Sequence, residues 1–366
     1  MKVPYVALGS QWTDIRDEAM PLIDQVLSTG MYLEHELVDS LEKNLASTIG
    51  VKEAILVNSG TDALLMALMV INIKRGDEVI TVPNSFIASV AAIHHVGAHP
   101  VMVDVGADHL IDVEKIEAAI TSRTKAIMPV HLEGKVCNME RIMEIASKHG
   151  LIVIEDAAQA FGSEFAQIKA GAWGDISCFS LHPLKNLNAC GDGGFIATND
   201  ASIASRLRAL RSHGQRERNN SEEFGFVSRF DSIQAAILTI RLKYVNSIIA
   251  QRRANAILYD SEFKSSKVII PFTDHRVFHS YHLYVVEVEN RDRIKDELLK
   301  AGIDTRVHYP KLITEQNAYL NRYGDIDLSI PEALAQRNRI LSLPIHHHLS
   351  EEQIFFVAQT LRKFHD

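Results

Sequence analysis

What this chain lacks narrows it first. No apolar run reaches the roughly 20 residues needed to cross a bilayer, and the opening stretch MKVPYVALGSQW has no apolar core of a signal peptide. A soluble cytoplasmic protein without a membrane partner is therefore expected. Cysteine is scarce: Cys137, Cys178 and Cys190 are too few and too far apart for a disulfide framework or a metal pair, as in a reducing compartment. Positive charge is also short, with 38 Lys and Arg against 46 Asp and Glu and a net charge of -8. That balance argues against a nucleic-acid partner, and Arg206, Arg208 and Arg211 read as a charged helix face instead. No internal repeat or low-complexity tract is present, and no G-x-G-x-x-G follows the first predicted strand.

What is present is a rhythm. Seven short β-branched runs, EAILVNS (53–59), DEVITVP (77–83), HPVMVDV (99–105), TKAIMPVHL (124–132), LIVIEDAA (151–158), ISCFSL (176–181) and GFIATN (194–199), read as strands. Helical patterns separate most of them, among them 61–71 and 138–150, the latter stopped by Gly150. Such alternation predicts an α/β fold with a mostly parallel seven-stranded sheet covered by helices. The link from 181 to 194 is too short for a helical crossover, so the last two strands are expected to pair antiparallel. Two amphipathic helices are predicted at 14–29 and 34–49, and a long helix from 231 to about 260 as a lever between domains. At 366 residues the chain is long for one core. A large domain over 1–245 and a smaller α+β domain over 246–366 are expected, the latter with a strand at 281–289 and helices near 291–301, 331–342 and 350–364. Residues 212–227 suit an exposed loop or a subunit contact.

Three stretches carry candidate chemistry. In ISCFSLHPLKNLNACGDGGFIAT (176–198) a lone Lys185 follows a strand end, where desolvation can free a lysine amine for Schiff-base chemistry. A solvated loop lysine is the plainer alternative. In VNSGTDAL (57–64) a strand turns at Ser59 and Gly60 into a helix opened by Thr61 and Asp62, which leaves backbone N–H groups for an anion such as phosphate. Ordinary capping by Ser59 or Thr61 would look the same. In IEDAAQAFG (154–162) Glu155 and Asp156 end a strand ahead of Gln159; a carboxylate there can hold a pyridine nitrogen protonated, or cap a helix, or bind a metal. Taken together, a phosphate cradle, an acid for a ring nitrogen and a Schiff-base lysine are what pyridoxal 5′-phosphate requires.

On NSGTDAL, VPNSFIASVAAI (82–93), VHLEGKVCNM (130–139), EDAAQAFG, FSLHPLKNLNACGDGG (179–194), SRFDSIQAAIL (228–238) and GIDTRVHYP (302–310), the chain resembles the DegT/DnrJ/EryC1/StrS sugar aminotransferases over nearly its full length. The resemblance implies the aspartate-aminotransferase-like fold and assigns roles. Lys185 would carry the cofactor and shuttle the proton, and Asp156 would pair with the ring nitrogen. Gln159 would contact the ring hydroxyl and Phe86 would stack on the ring, while Gly60, Thr61 and Ser180 would hold the phosphate. Arg229 would approach the active site across the interface of a homodimer with shared active sites. Many relatives carry Asn-Ser-Arg where this chain has Val227, Ser228 and Arg229, so Val227 removes a contact from the other subunit to the phosphate. Relatives also often have a glycine-containing turn where this chain has MYLEHELV (31–38).

The implied activity is transfer of an amino group from L-glutamate, which leaves as 2-oxoglutarate, to a keto-sugar, nucleotide-linked, in amino-sugar or surface-polysaccharide synthesis. Dehydratase relatives have a histidine at the Lys185 position, and VHYP (307–310) resembles members acting on 3-keto sugars. Two alternatives stand beside it: an aminotransferase for a non-nucleotide carbonyl such as a cyclitol ketone, free sugar or sugar acid, and a non-catalytic regulatory protein that keeps the fold. No metal is expected. His346, His347 and His348 are consecutive, and in a strand or helix consecutive side chains point apart. His94 and His95 read as helix residues that pack or face solvent.

Overall fold

A computed structural model of the chain describes residues 1–33, 36–324 and 328–365; Glu34 and His35, inside the MYLEHELV stretch, fall outside them. All seven apolar runs become strands: β1 (Glu53–Val57), β2 (Glu78–Thr81), β3 (His99–Met102), β4 (Thr124–Ile127), β5 (Ile152–Asp156), β6 (Ile176–Ser180) and β7 (Gly194–Thr198). They form one sheet in the order β1-β7-β6-β5-β4-β2-β3. Pairing is parallel from β3 through to β6, and β7 runs antiparallel to both β6 and β1. The link before β7, residues 181–193, is near the shortest length for a parallel crossover and holds no helix, and the chain returns antiparallel.

Helices α1 (Leu8–Thr29), α2 (Glu36–Ile49), α3 (Gly60–Val70), α4 (Ile87–His95), α5 (Met139–His149) and α6 (Ala201–Leu210) surround the sheet. Helix α5 begins at the Asn138 cap, whose side chain accepts the Arg141 N–H, and ends at Gly150 with φ 64°. Helix α1 starts six residues before the predicted 14–29. Its first turns have poor intrinsic propensity, and Trp12 packs there against Ile237 and Ile240 of the long helix, so tertiary burial extends it. The two arginines of α6 and Arg211 at its C-cap are paired: Arg206 with Glu223, Arg208 with Glu53, and Arg211 with Glu42.

The long helix α7 (Ser232–Phe263) serves two cores. Its Ala235, Leu238, Val245 and Ile249 belong to the sheet's core, and Ala256, Tyr259 and Phe263 to a C-terminal core that also takes in Val3. That C-terminal unit holds β8 (Tyr284–Glu287), α8 (Arg291–Lys300), α9 (Pro331–Arg337), β9 (Ile340–Leu343) and α10 (Glu351–His365). The predicted helix at 331–342 therefore stops at Arg337. Ile340–Leu343 pairs antiparallel with β8, Tyr284 opposite Leu343, and this cross-strand ladder outweighs the helical reading of that run. Among the described residues no helix is long and apolar enough to cross a membrane.

Candidate active site

Strand alternation separates the two neighbouring carboxylates. Along β5 successive side chains point to opposite faces, so Glu155 and Asp156 cannot share a task. Glu155 is fully buried and accepts the backbone N–H groups of Gly171 (2.7 Å), Trp173 (2.9 Å) and Gly174 (2.7 Å), with His131 Nε2 at 2.9 Å. It is a structural anchor. Asp156 faces a cavity, where its Oδ2 accepts the Ser89 hydroxyl (2.7 Å) and its Oδ1 the Ala158 N–H (3.2 Å). Burial raises its pKa; the Ser89 and Ala158 hydrogen bonds and the Lys185 charge pull the other way.

Lys185 lines the same cavity from the loop that follows β6. The loop is pinned by backbone bonds from Leu181 N–H to Gly193 O and from Ala189 N–H to Leu181 O. Arg241 of α7 donates to Asn188 O, and the Asn188 amide to Pro183 O at 2.6 Å. A rigid loop thus holds the lysine, and desolvation pulls its pKa down to about 8 against the opposing pull of Asp156. A substantial share of the amine is then neutral near physiological pH.

At the N-terminus of α3 the Ser59 hydroxyl accepts the Asp62 N–H at 3.0 Å, so capping does occur there. Helix geometry leaves the Gly60 and Thr61 N–H groups without intrahelical acceptors, and both residues line the cavity with Ser180. Gly60 approaches Ser180 so closely that an added Cβ would lie 2.8 Å from the Ser180 Cβ. Phe86 is 54% exposed, its ring open to the cavity and 5.8 Å from that of Tyr309. It is a free aromatic face, not a core residue. Gln159 accepts the Glu133 N–H at 2.8 Å and donates to the Tyr309 hydroxyl at 3.1 Å.

The cavity, of about 450 Å³, thus gathers seven of the eight predicted site residues: Gly60, Thr61, Phe86, Asp156, Gln159, Ser180 and Lys185. Arg229 does not line it. Further polar contributors lie outside the predicted site set, among them Ser89, Arg252 and His282, together with His308 and Tyr309 from the VHYP stretch that resembles members acting on 3-keto sugars. For Ser89 the signal was present, since it lies one turn into a predicted helix at the same strand-end rim. Arg252 comes from the far end of α7, which no local pattern could bring here. It is buried and, among the described residues, donates only to the carbonyls of Tyr281 (3.0 Å) and His282 (3.3 Å), leaving its Nε without a partner. Burial lowers its pKa to about 10, and no carboxylate pairs with it among the described residues. Burial likewise keeps His282 and His308 neutral, the latter at a pKa of about 4.

These residues fit pyridoxal phosphate: helix-start N–H groups and a hydroxyl for phosphate, an open aromatic face for a ring, a buried carboxylate for its nitrogen and a desolvated amine for its aldehyde. Comparison with known proteins agrees. The model of the DegT/DnrJ/EryC1/StrS aminotransferase family matches residues 13–362. The dTDP-3-amino-3,4,6-trideoxy-alpha-D-glucose transaminase of Streptomyces venezuelae is 38% identical over 99% of this chain and 96% of its own. The crystal structure of S. venezuelae DesV superposes with a TM-score of 0.96 at 38% identity, covering 99% of this chain and 98% of that one. NtdA from Bacillus subtilis, solved with bound cofactor PMP, gives a TM-score of 0.90 at 31% identity over 98% of this chain and 85% of its own.

Proposed function

The chain belongs to the DegT/DnrJ/EryC1/StrS aminotransferase family and is a pyridoxal-phosphate-dependent sugar aminotransferase, and from that premise we propose that it moves the amino group of L-glutamate to the keto group of a nucleotide-linked 3-keto sugar, as a cytoplasmic homodimer. The observation that carries the proposal is the convergence of Lys185, Asp156 and the Gly60–Thr61 helix start on one cavity around the free face of Phe86.

Pyridoxal phosphate, when bound, supplies an aldehyde that captures amines and a protonated ring that accepts electrons. This chain's residues do the rest. The Asp156 carboxylate, held by Ser89, would keep a proton on the ring nitrogen, because a buried anion favours a cation beside it. Lys185, a desolvated amine, would serve both as the attachment point and as the base that moves the proton of the donor's α-carbon. Gly60, Thr61 and Ser180 would hold the phosphate, Phe86 would stack on the ring, and Gln159 would contact the ring hydroxyl. Arg252, buried without a counter-ion among the described residues, supports a donor that brings carboxylates of its own, as L-glutamate does. The relative named for a dTDP-3-amino sugar supports both the nucleotide and the carbon position. For the homodimer, Phe224 is fully exposed and Val227 is 54% exposed in the loop expected to meet a second subunit.

Purified protein should show a yellow chromophore that borohydride fixes to the Lys185 peptide and that Lys185→Ala cannot fix. L-Glutamate should bleach it with release of one 2-oxoglutarate, and dTDP- or UDP-linked 3-keto sugars should restore it. Absence of the chromophore would refute the cofactor site. Equal restoration by free keto-sugars would refute the nucleotide requirement, and a monomer in light scattering would refute the dimer.

A further inference from the structure

The histidine triplet lies in neither a strand nor a helix. After β9 the chain turns at His347 and His348, closed by the Leu349 N–H on His346 O at 3.1 Å. Consecutive side chains diverge in regular structure, but a turn can swing neighbours to one side. Here the rings of His347 and His348 stand 4.2 Å apart, centroid to centroid. His346 is engaged elsewhere, its Nε2 on Pro4 O at 3.1 Å.

Facing the pair is Asp14 of α1. Its Oδ2 lies 3.1 Å from His348 Nε2 and 3.9 Å from His347 Nε2, and one ligand atom from each residue falls within 4.8 Å of the others. Two donors on a tetrahedral zinc, each about 2.1 Å from the metal, sit about 3.4 Å apart. The observed separations bracket that distance. The 3.1 Å approach is not a hydrogen bond either: His348 Nε2 is buried and has no aligned partner among the described residues.

We propose that Asp14, His347 and His348 form a binding site for a late first-row divalent metal ion of the zinc class. Two imidazoles and a carboxylate suit that class, and three protein ligands leave a fourth position for water on the exposed Asp14 side. The ion would tie α1 to the loop after β9. Gln11, one turn before Asp14, and His346, next to His347, both line the active-site cavity, so the tie would stiffen one rim of it. This site does not depend on the reading of the cofactor.

Chelator-stripped, cofactor-loaded protein titrated with Zn²⁺ by calorimetry should bind one ion per chain. His347→Gln and His348→Gln should each weaken it at least 10- to 100-fold, since even outer-shell changes at metal sites cost about that much, and Asp14→Asn should weaken it about tenfold. Zinc should also slow amide exchange over the first turns of α1 in the wild type and not in His348→Gln. Binding that survives both histidine variants, or that disappears with Cys190→Ser at the exposed thiol, overturns the proposal. So does unchanged affinity in Asp14→Asn, which would mark an adventitious surface histidine pair. The exposed or partly exposed positions of the ligands keep these variants folded, and thermal melts of the stripped proteins check that.

Discussion

His109→Asn tests the buried charge network behind the active site. His109 is 2% exposed, with Nδ1 2.7 Å from Glu133 Oε1 and Nε2 3.1 Å from Glu287 Oε1. Both ring nitrogens face carboxylates, so both must donate, and the ring is the imidazolium. Burial alone would depress its pKa, but the Glu133 charge and the two hydrogen bonds raise it; Glu133 and Glu287 are correspondingly lowered. Asparagine tolerates the left-handed backbone at this position, φ 67°, so the substitution removes the charge without adding strain. Removing one partner of a buried pair costs about 3–5 kcal/mol. Each carboxylate keeps a second cation, Lys135 on Glu133 and Arg339 on Glu287, which places the expectation at the lower end, about 3 kcal/mol. Unfolding entropy of about 2.1 cal/mol/K per residue gives about 0.8 kcal/mol/K for 366 residues, hence a melting point lower by about 4 °C. The sign with pH is fixed. A raised histidine stabilises fully below its unfolded value near 6.5 and loses this as pH rises through its folded pKa, whereas the lowered glutamates contribute above about 4.5. The gap between wild type and variant should therefore be widest near pH 5–6.5 and shrink at alkaline pH. A melting difference under 1 °C at pH 6, or one that grows with pH, refutes the charged-histidine argument.

Other substitutions separate chemistry from architecture. Asp156→Asn should cut amino transfer by at least about 100-fold with little change in melting, while Glu155→Gln should do the reverse, because Glu155 serves three backbone N–H groups; circular-dichroism melts and half-reaction rates on the pair decide it. Reloading of the cofactor-free enzyme with pyridoxal phosphate should quicken about fivefold from pH 7 to 8 and level off above pH 9, as the Lys185 amine deprotonates near 8; a tenfold rise per unit persisting to pH 10 would mean an unshifted lysine. Gly60→Ala should weaken cofactor retention at least about tenfold in dialysis, because its Cβ would meet Ser180 at 2.8 Å; Gly60→Ala with Ser180→Gly should recover part of the loss.

The sheet was legible because every strand is a short apolar run, five of them on a parallel ladder, where local composition and burial agree. At 331–342 they disagree: the apolar positions of Ile340–Leu343 fit a helix stripe as well as a strand, and only β8, some fifty residues earlier, decides for the strand. The same limit applied to the site. Lys185, Asp156 and Gly60 sit at strand ends or just beyond, where sequence and location are linked, and all three face the cavity. Arg252 and His282 reach it from the C-terminal side, and no motif around them announces that destination, whereas His308 lies in the VHYP stretch already linked to the substrate.

This division of labour has a chemical reading. The sheet's side of the cavity supplies an acid, an amine and a phosphate cradle, the acid held by the Ser89 hydroxyl and the Ala158 N–H, the other two by bonds within their own motifs. The C-terminal side supplies a buried cation and neutral imidazoles held only by carbonyls and one hydroxyl, including Arg252 on Tyr281 and His308 Nδ1 on Ser342 Oγ at 2.8 Å. Under the proposed function, groups of the first kind would determine how an amino group moves, and groups of the second kind which carboxylate and which sugar come within reach. Exchanging residues on the C-terminal face should therefore change the substrate while leaving the cofactor spectrum intact. Exchanging Asp156 or Lys185 should change the spectrum whatever the substrate.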